Sequence, residues 1–144
     1  MVERGRILDE DDEVLDVLRQ AKRIAVIGIK PESHGTAPAF YVPRYLQRVG
    51  YEIVPVPVYY PAVTHILGQP VYRSLTDIPG RIDLVVLFRR SEHVPQHVDE
   101  ILAVKPDAVW MQMGISNGEA AERLAAAGID VVQDRCTMVE HRAL

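Results

Sequence analysis

The stretch Arg23–Thr36, RIAVIGIKPESHGT, decides how the rest of the chain is read. Ile24 to Ile27 is an unbroken apolar run, as expected of a strand covered on both faces of a parallel sheet. The run breaks at Gly28 into a polar loop carrying Ser33, Gly35 and Thr36, and an amphipathic segment follows. Strand, glycine-bearing loop and helix is the order in which an α/β sheet offers backbone N–H groups to a phosphate. The stretch therefore reads as the start of a nucleotide-binding βαβ unit, with Gly28 letting a phosphate approach the backbone.

The same alternation continues on either side. Asp9 to Lys22 reads as an amphipathic helix, with Val14, Leu15, Leu18 and Ala21 on one face and acids in the first turn. Ala37 to Val49 is helical in pattern, and Gly50 suits the position just past its end. Pro43 lies inside that helix and predicts a kink or a late start. Tyr51 to Pro57 is a second strand, whose carboxyl end Pro55 and Pro57 force out of regular pairing. Val58 to Pro79 has no convincing long helix, and a connection of that length is often functional. Asp83 to Phe88 is a third strand, followed at once by Arg89, Arg90 and Ser91 and by a helix from about Glu92 to Val104. Ala108 to Met113 is a fourth strand ending at Gly114, and Ser116 to Ala127 a helix ending at Gly128. Asp130 to Gln133 is a short fifth strand, and Asp134 to Leu144 a polar tail.

This pattern predicts the α/β class: a Rossmann-like, doubly wound parallel sheet of about five strands with helices on both faces. Right-handed crossovers favour strand order 3-2-1-4-5. The 144 residues suit one domain spanning residues 1–144, with neither an internal repeat nor an interdomain linker. No apolar run approaches the ~20 residues of a membrane span, and the acidic N-terminus is the opposite of a signal peptide. Cys136 is the single cysteine, which rules out an intramolecular disulfide and leaves a cytoplasmic location as the simplest expectation. A net charge of −4 argues against broad nucleic-acid binding while permitting a local basic pocket.

In such a sheet the ligand lies beyond the carboxyl ends of the strands, where the winding direction reverses. The first strand is followed by Gly28, Ile29 and Lys30, the second by Pro55-Val56-Pro57, the third by Arg89 and Arg90, the fourth by Gly114, and the fifth by Arg135 and Cys136. Three of these ends carry a cation, which suits a ligand with several phosphates, since each guanidinium can pair two oxygens. A nicotinamide dinucleotide fits less well. Lys30 occupies the place of the second fingerprint glycine, and the end of the second strand offers no acid for a ribose, Glu52 being at its start. A Walker loop is absent.

The runs Ile66-Leu67-Gly68, Tyr72-Arg73-Ser74-Leu75, Ile78-Pro79 and Asp83-Leu84-Val85 carry a resemblance. So do Phe88-Arg89-Arg90-Ser91, Trp110 to Ile115, and Asp134-Arg135-Cys136 with Glu140-His141. In combination the chain from about Ala21 onward resembles the CoA-binding protein family. These are small single-domain relatives of the CoA-binding Rossmann domain in the succinyl-CoA synthetase α subunit. The resemblance implies coenzyme A, free or acylated, bound along Gly28, Ile29, Lys30, Ser33, Gly35 and Thr36 and against Pro55, Val56, Arg89, Arg90, Met113 and Gly114. It implies no catalytic residue and no metal. Lys30 stands where the family has a serine, and Pro57 where it has the Asn of a Pro-Val-Asn-Pro signature.

Two other classes remain open. One is an enzyme, either an NAD(P)-dependent oxidoreductase or a CoA-linked thiol catalyst in which Arg135 favours the thiolate of Cys136. The other is a CoA-sensing protein that docks a protein partner on Val58–Pro79 through Tyr59, Tyr60 and Ile66. His93 and His97 lie four apart without a third ligand and read as a helix-surface pair. Trp110, Met111 and Met113 read as core or pocket-wall residues of the fourth strand.

Overall fold

The computed structural model describes residues 3–144. Its centre is a six-stranded, all-parallel sheet. The strands are β1 (Ile7–Leu8), β2 (Arg23–Ile27), β3 (Glu52–Val56), β6 (Leu84–Leu87), β7 (Ala108–Met111) and β8 (Asp130–Val132), in the order β1-β8-β7-β6-β2-β3. A separate antiparallel hairpin pairs β4 (His65–Ile66) with β5 (Gln69–Pro70). The helices are α1 (Asp11–Gln20), α2 (Pro38–Arg48), α3 (Val98–Val104), α4 (Gly118–Ala126) and α5 (Thr137–His141).

The period of two along each strand divides the core into two layers. Ala25, Ile27, Val85, Leu87, Val109 and Met111 face α3, α4 and the single turn Leu75–Asp77. Ile24, Val26, Leu84, Val86 and Trp110 face α1, α2 and α5. Every residue of β6 and β7 is buried, which is why those strands are apolar without alternation. Trp110 has no exposed surface, and its indole N–H is satisfied by the carbonyl of Arg135 at 2.7 Å.

The doubly wound α/β class is as expected from sequence, but the strand order is not. The third expected strand, β6, does not lie outside the second; it pairs directly with β2, Ile24 opposite Leu84 through Ile27 opposite Leu87. In the expected numbering the observed order is 2-1-3-4-5, with β1 added beyond the fifth strand. Pro55 supplies the physical reason. It sits within β3 opposite Val26 and has no N–H to give a second neighbour, so β3 belongs at an edge. On the free side only its carbonyl is used, by the N–H of Tyr72 at 3.0 Å.

Other elements differ in detail. The segment 58–79 forms no long helix, only the hairpin and the turn Leu75–Asp77. Residues 91–97 are wound as 3₁₀ turns before α3 begins, so the expected helix from Glu92 starts late as an α-helix. The expected polar tail contains α5. Pro43 is accommodated inside α2: the carbonyl of Ala39, four residues back, loses its helical donor and accepts the N–H of Lys30 at 3.1 Å. The proline thereby docks the loop after β2 onto the helix.

Where β2 and β6 end side by side, the fit is tight. Gly28 has φ of +85°, and a Cβ there would meet the carbonyl oxygen of Phe88 at 2.1 Å. Gly28→Ala is therefore expected to destabilise the protein by at least ~2 kcal/mol, combining left-handed strain with a backbone clash. Urea unfolding monitored by circular dichroism measures it; a change below ~0.5 kcal/mol would contradict the contact.

Candidate functional site

Because α2 covers one face of the sheet and α3 the other, the winding reverses between β2 and β6, and a crevice opens at their carboxyl ends. The crevice is a cleft of 390 Å³ lined by Gly28 and Lys30 after β2, Phe88, Arg89 and Arg90 after β6, and Gly114 and Ile115 after β7. Its floor includes Ala37, Pro38 and Ala39 at the start of α2, where the helix dipole favours an anion. Cross-links hold these loops in place. Ser91 Oγ accepts the N–H of Ser116 at 3.0 Å, and Asp134 Oδ1 accepts that of Gly114 at 2.6 Å.

Arg89 is the central charge. It is only 9% exposed, yet none of its contacts among the described residues is to a carboxylate. Its Nε–H donates to His97 Nε2 at 3.1 Å, and His97 Nδ1 lies 3.0 Å from Glu100 Oε2. This fixes the tautomer: Nε2 accepts, so the ring proton sits on Nδ1 and points at Glu100. Glu100 Oε1 in turn accepts the N–H of Leu75 at 2.9 Å. Burial alone would raise the Glu100 carboxyl, but the hydrogen bonds from His97 and Leu75 outweigh it and hold the group below its ordinary value.

The guanidinium carbon of Arg89 also lies 5.8 Å from the ring centre of Tyr59. Arg73 fixes that part of the chain by donating to the carbonyls of Tyr59, Tyr60 and Val63 at 2.9–3.0 Å. With Nε committed, the two terminal nitrogens of Arg89 have no partner among the described residues and remain reachable from the cleft. A preorganised two-pronged donor is the result.

The cleft thus gathers Gly28, Lys30, Arg89, Arg90 and Gly114 from the residues marked by sequence. Others stand elsewhere. Ile29 is 1% exposed and packs into the core beneath α2, because the loop turns its side chain inward. Val56 is likewise in the core, and Pro55 faces a groove at the sheet edge beside Glu52 and Tyr72. Ser33, Gly35 and Thr36 are exposed on the loop beyond the cleft, with Ser33 Oγ 3.0 Å from His34 Nδ1. The Gly28 N–H is already given to the carbonyl of Val56 at 2.9 Å, so this glycine lines the cleft with no free N–H of its own to offer.

Met113 is 64% exposed and lines a neighbouring apolar cavity of 400 Å³, together with Phe88, Ile115, Cys136 and Met138. Gln112 anchors its floor through Thr137: Nε2 donates to Oγ1 at 2.8 Å, and the Thr137 N–H returns to Oε1 at 3.2 Å.

Three further readings change. Arg135 is not a ligand cation: it pairs with Asp11 at 2.9 Å and Glu140 at 3.3 Å and donates to the carbonyl of Asp9. Its charge is therefore not available to Cys136. His97 is not on a helix surface but 6% exposed beneath Arg89, and Ile66 is fully buried rather than part of a contact face. The sequence reading missed His97 and Glu100, although their spacing of three, eight residues after Arg89, was visible. The carboxylates at the opposite end of the sheet are satisfied by Arg81 and by backbone N–H groups of Arg6, Lys22 and Arg23.

Comparison with known proteins agrees with this fold. The chain is 37% identical over 129 residues to the uncharacterized protein YneT of Bacillus subtilis (strain 168), covering 90% of this chain and 92% of that one. The solved structure of cell-free ID.343 from Thermus thermophilus superposes with a TM-score of 0.84 at 39% identity, over 94% of this chain and 98% of that one. A hypothetical protein from Pyrococcus horikoshii OT3 gives 0.84 at 31% identity over 99% of both chains. Residues 22–142 match the CoA binding domain family, and the chain belongs to that family.

Proposed function

We propose that this protein binds coenzyme A, free or acylated, at the carboxyl ends of β2, β6 and β7, and catalyses no reaction of its own. One observation carries the reading: Arg89 is a nearly buried guanidinium whose only polar partner among the described residues is a neutral imidazole. Burying a cation without a counter-ion is costly, and the cost is recovered when an anion arrives. The pyrophosphate of CoA supplies that anion, held by the terminal nitrogens of Arg89 and by Lys30 in the loop after β2. Arg90 is exposed and adds a screened, weaker attraction.

The uncharged arm of the ligand fits the adjoining apolar cavity. Among the described residues no carboxylate, histidine, serine or cysteine lines the cleft, and Lys30, its one amine, is assigned to the phosphates. The end of β3 is Val56-Pro57, which offers a nicotinamide dinucleotide no acid for its ribose. A cytoplasmic site of action accords with the lone thiol.

Calorimetric titration with CoA, NAD and NADP tests the assignment. CoA is expected to bind, and Arg89→Ala to cost ~1.5–3 kcal/mol, about 10- to 150-fold in Kd, with Arg90→Ala costing about threefold or less. Binding of NAD in place of CoA would overturn it.

The same assay reads the support beneath Arg89. His97→Leu should weaken CoA by about tenfold, since Nε of Arg89 loses its acceptor, whereas His97→Gln keeps an acceptor and should restore most of the affinity. Equal losses in both would show that packing alone matters.

Glu100 sets a pH dependence of folding. Its lowered folded value means the carboxylate contributes stability that is complete above its ordinary 4.5 and is lost as pH falls through the lowered value. The stability difference between wild type and Glu100→Gln should therefore be flat from pH 7 to about 5 and shrink below that. A difference that grows on acidification would contradict the sign.

A further inference from the structure

The helical layer formed by α1, α5 and α2 carries charges of both signs that are not paired within the copy. On one side, Asp9, Glu10, Asp11 and Asp12 stand at the start of α1. Among the described residues Arg135 is the only cation that reaches them, meeting Asp9 and Asp11 and leaving Glu10 and Asp12 without an ion pair. On the other side lies a basin of 400 Å³, which shares Tyr41 and Met138 with the apolar cavity and continues the cleft along α2. It carries Arg44 and Arg48 of α2 and Arg142 from the end of α5. Among the described residues none of these arginines meets a carboxylate. The guanidinium carbons of Arg44 and Arg142 lie over rings instead, 5.4 Å from the centre of Phe40 and 5.5 Å from that of Tyr45. Arg44 and Arg48 are four apart on one helix, a like-charge spacing that destabilises until an anion joins them.

Between the two patches runs α5, packed on both neighbouring helices. Arg135, just ahead of it, donates to Asp11 at 2.9 Å, and His141 at its end lies 2.8 Å from the hydroxyl of Tyr45. The helix thus leads from the acidic patch to the basic one and holds them apart. Its outer side is apolar: Val139 is 51% exposed and shares the rim of the apolar cavity with the exposed Met113. Exposed aliphatic surface set among tyrosine, methionine and arginine has the composition of a protein interface.

We propose that this face joins two copies of the chain about a two-fold axis through α5. Such an axis turns α5 end for end, so the acids of each copy meet the arginines of the other, and the contact is made twice. Val139 of one copy then packs beside Val139 of the other, near the axis. Charge selects this occupant. An acidic partner would satisfy the arginines but be repelled by Asp9–Asp12, and a basic partner would meet the reverse. A surface with both signs in the opposite order satisfies both patches, and a second copy turned through the two-fold presents that surface. Arginine suits the role, because its guanidinium is weakly hydrated and pairs carboxylates in a fixed geometry. A standard interface takes about 800 Å² from each copy, about a tenth of a small protein's surface, and the outer side of one helical layer is of that order.

Sedimentation velocity of the full chain over roughly 1–100 µM reads the association. Wild type is expected to be a dimer that weakens as salt rises from about 50 to 500 mM. Two charge-reversed variants, all at exposed positions, test the pairing. Glu10→Lys/Asp12→Lys turns the acidic patch basic, and Arg48→Glu/Arg142→Glu turns the basin acidic. Each alone is expected to be monomeric, its Kd raised about 30-fold or more by like charges meeting across the axis. Mixed one to one, the two variants regain opposite signs at both contacts and should form a heterodimer, which also shows that both fold. Val139→Asp, at the axis, is expected to be monomeric as well. A monomeric wild type overturns the inference and leaves the face to another occupant. A dimer that persists in Val139→Asp or in either charge variant alone puts the contact elsewhere and overturns it too. So does a mixture of folded variants, checked by circular dichroism, that stays monomeric. Growth of wild type into larger species with concentration would mean head-to-tail contacts, which likewise overturns the two-fold.

Discussion

The contact between the ends of β2 and β6 is the constraint on which the rest depends. Gly28 and Phe88 approach so closely that no side chain fits between them, and the stem of Arg89 lies alongside. That approach exists because β3 occupies the edge and leaves the other side of β2 to β6. The loop after β2 then turns towards α2, while the loop after β6 turns towards α3. The crevice between them is the consequence, and three of the chain's cations, Lys30, Arg89 and Arg90, line it with no carboxylate from the described residues among them.

Charge in this molecule is sorted by whether a partner is already present. Arg6, Arg23, Arg81, Arg123 and Arg135 are spent on acids at the surface and at the amino ends of the strands. Exposed pairs of this kind contribute little to stability. Arg89 differs because it is nearly buried and is met by a neutral ring whose own proton is tied to Glu100. The relay fixes the orientation of the guanidinium without neutralising it, so the charge stays directed at the cleft. A direct Arg–Glu pair at the same place would have stabilised the empty protein and removed its attraction for a phosphate.

Much of this was legible in the sequence, and the failures have physical causes. The apolar runs of β2, β6 and β7 declare a sheet buried on both faces, and Gly28, Lys30, Arg89, Arg90 and Gly114 could be placed at strand ends by position alone. Ile29 and Val56 were misplaced because a residue's position after a strand does not say which way its side chain turns. Arg135 was misread because its partners Asp9 and Asp11 are far away in sequence, and only folding brings them to it. Pro55 pointed to the observed edge position, since a strand without a donor belongs at an edge; the order expected from crossovers alone placed that strand inside the sheet.

By itself the sequence determined the class of fold, the positions of β2, β3, β6, β7 and β8, and the end of the sheet at which the loops after them lie. Those features follow from local periodicity and from the rule that strand ends carry the loops. Only the tertiary structure decided that Arg89 is nearly buried without an acid among the described residues, what holds it, and how the cleft continues along α2 into an apolar cavity and a second basic basin. Such features depend on residues distant in the chain meeting in space: Arg89 with Tyr59, Gly28 with Phe88, Met138 with Tyr41. Hydrogen bonds and burial that join separate elements leave no period in the sequence, and the site is built from them.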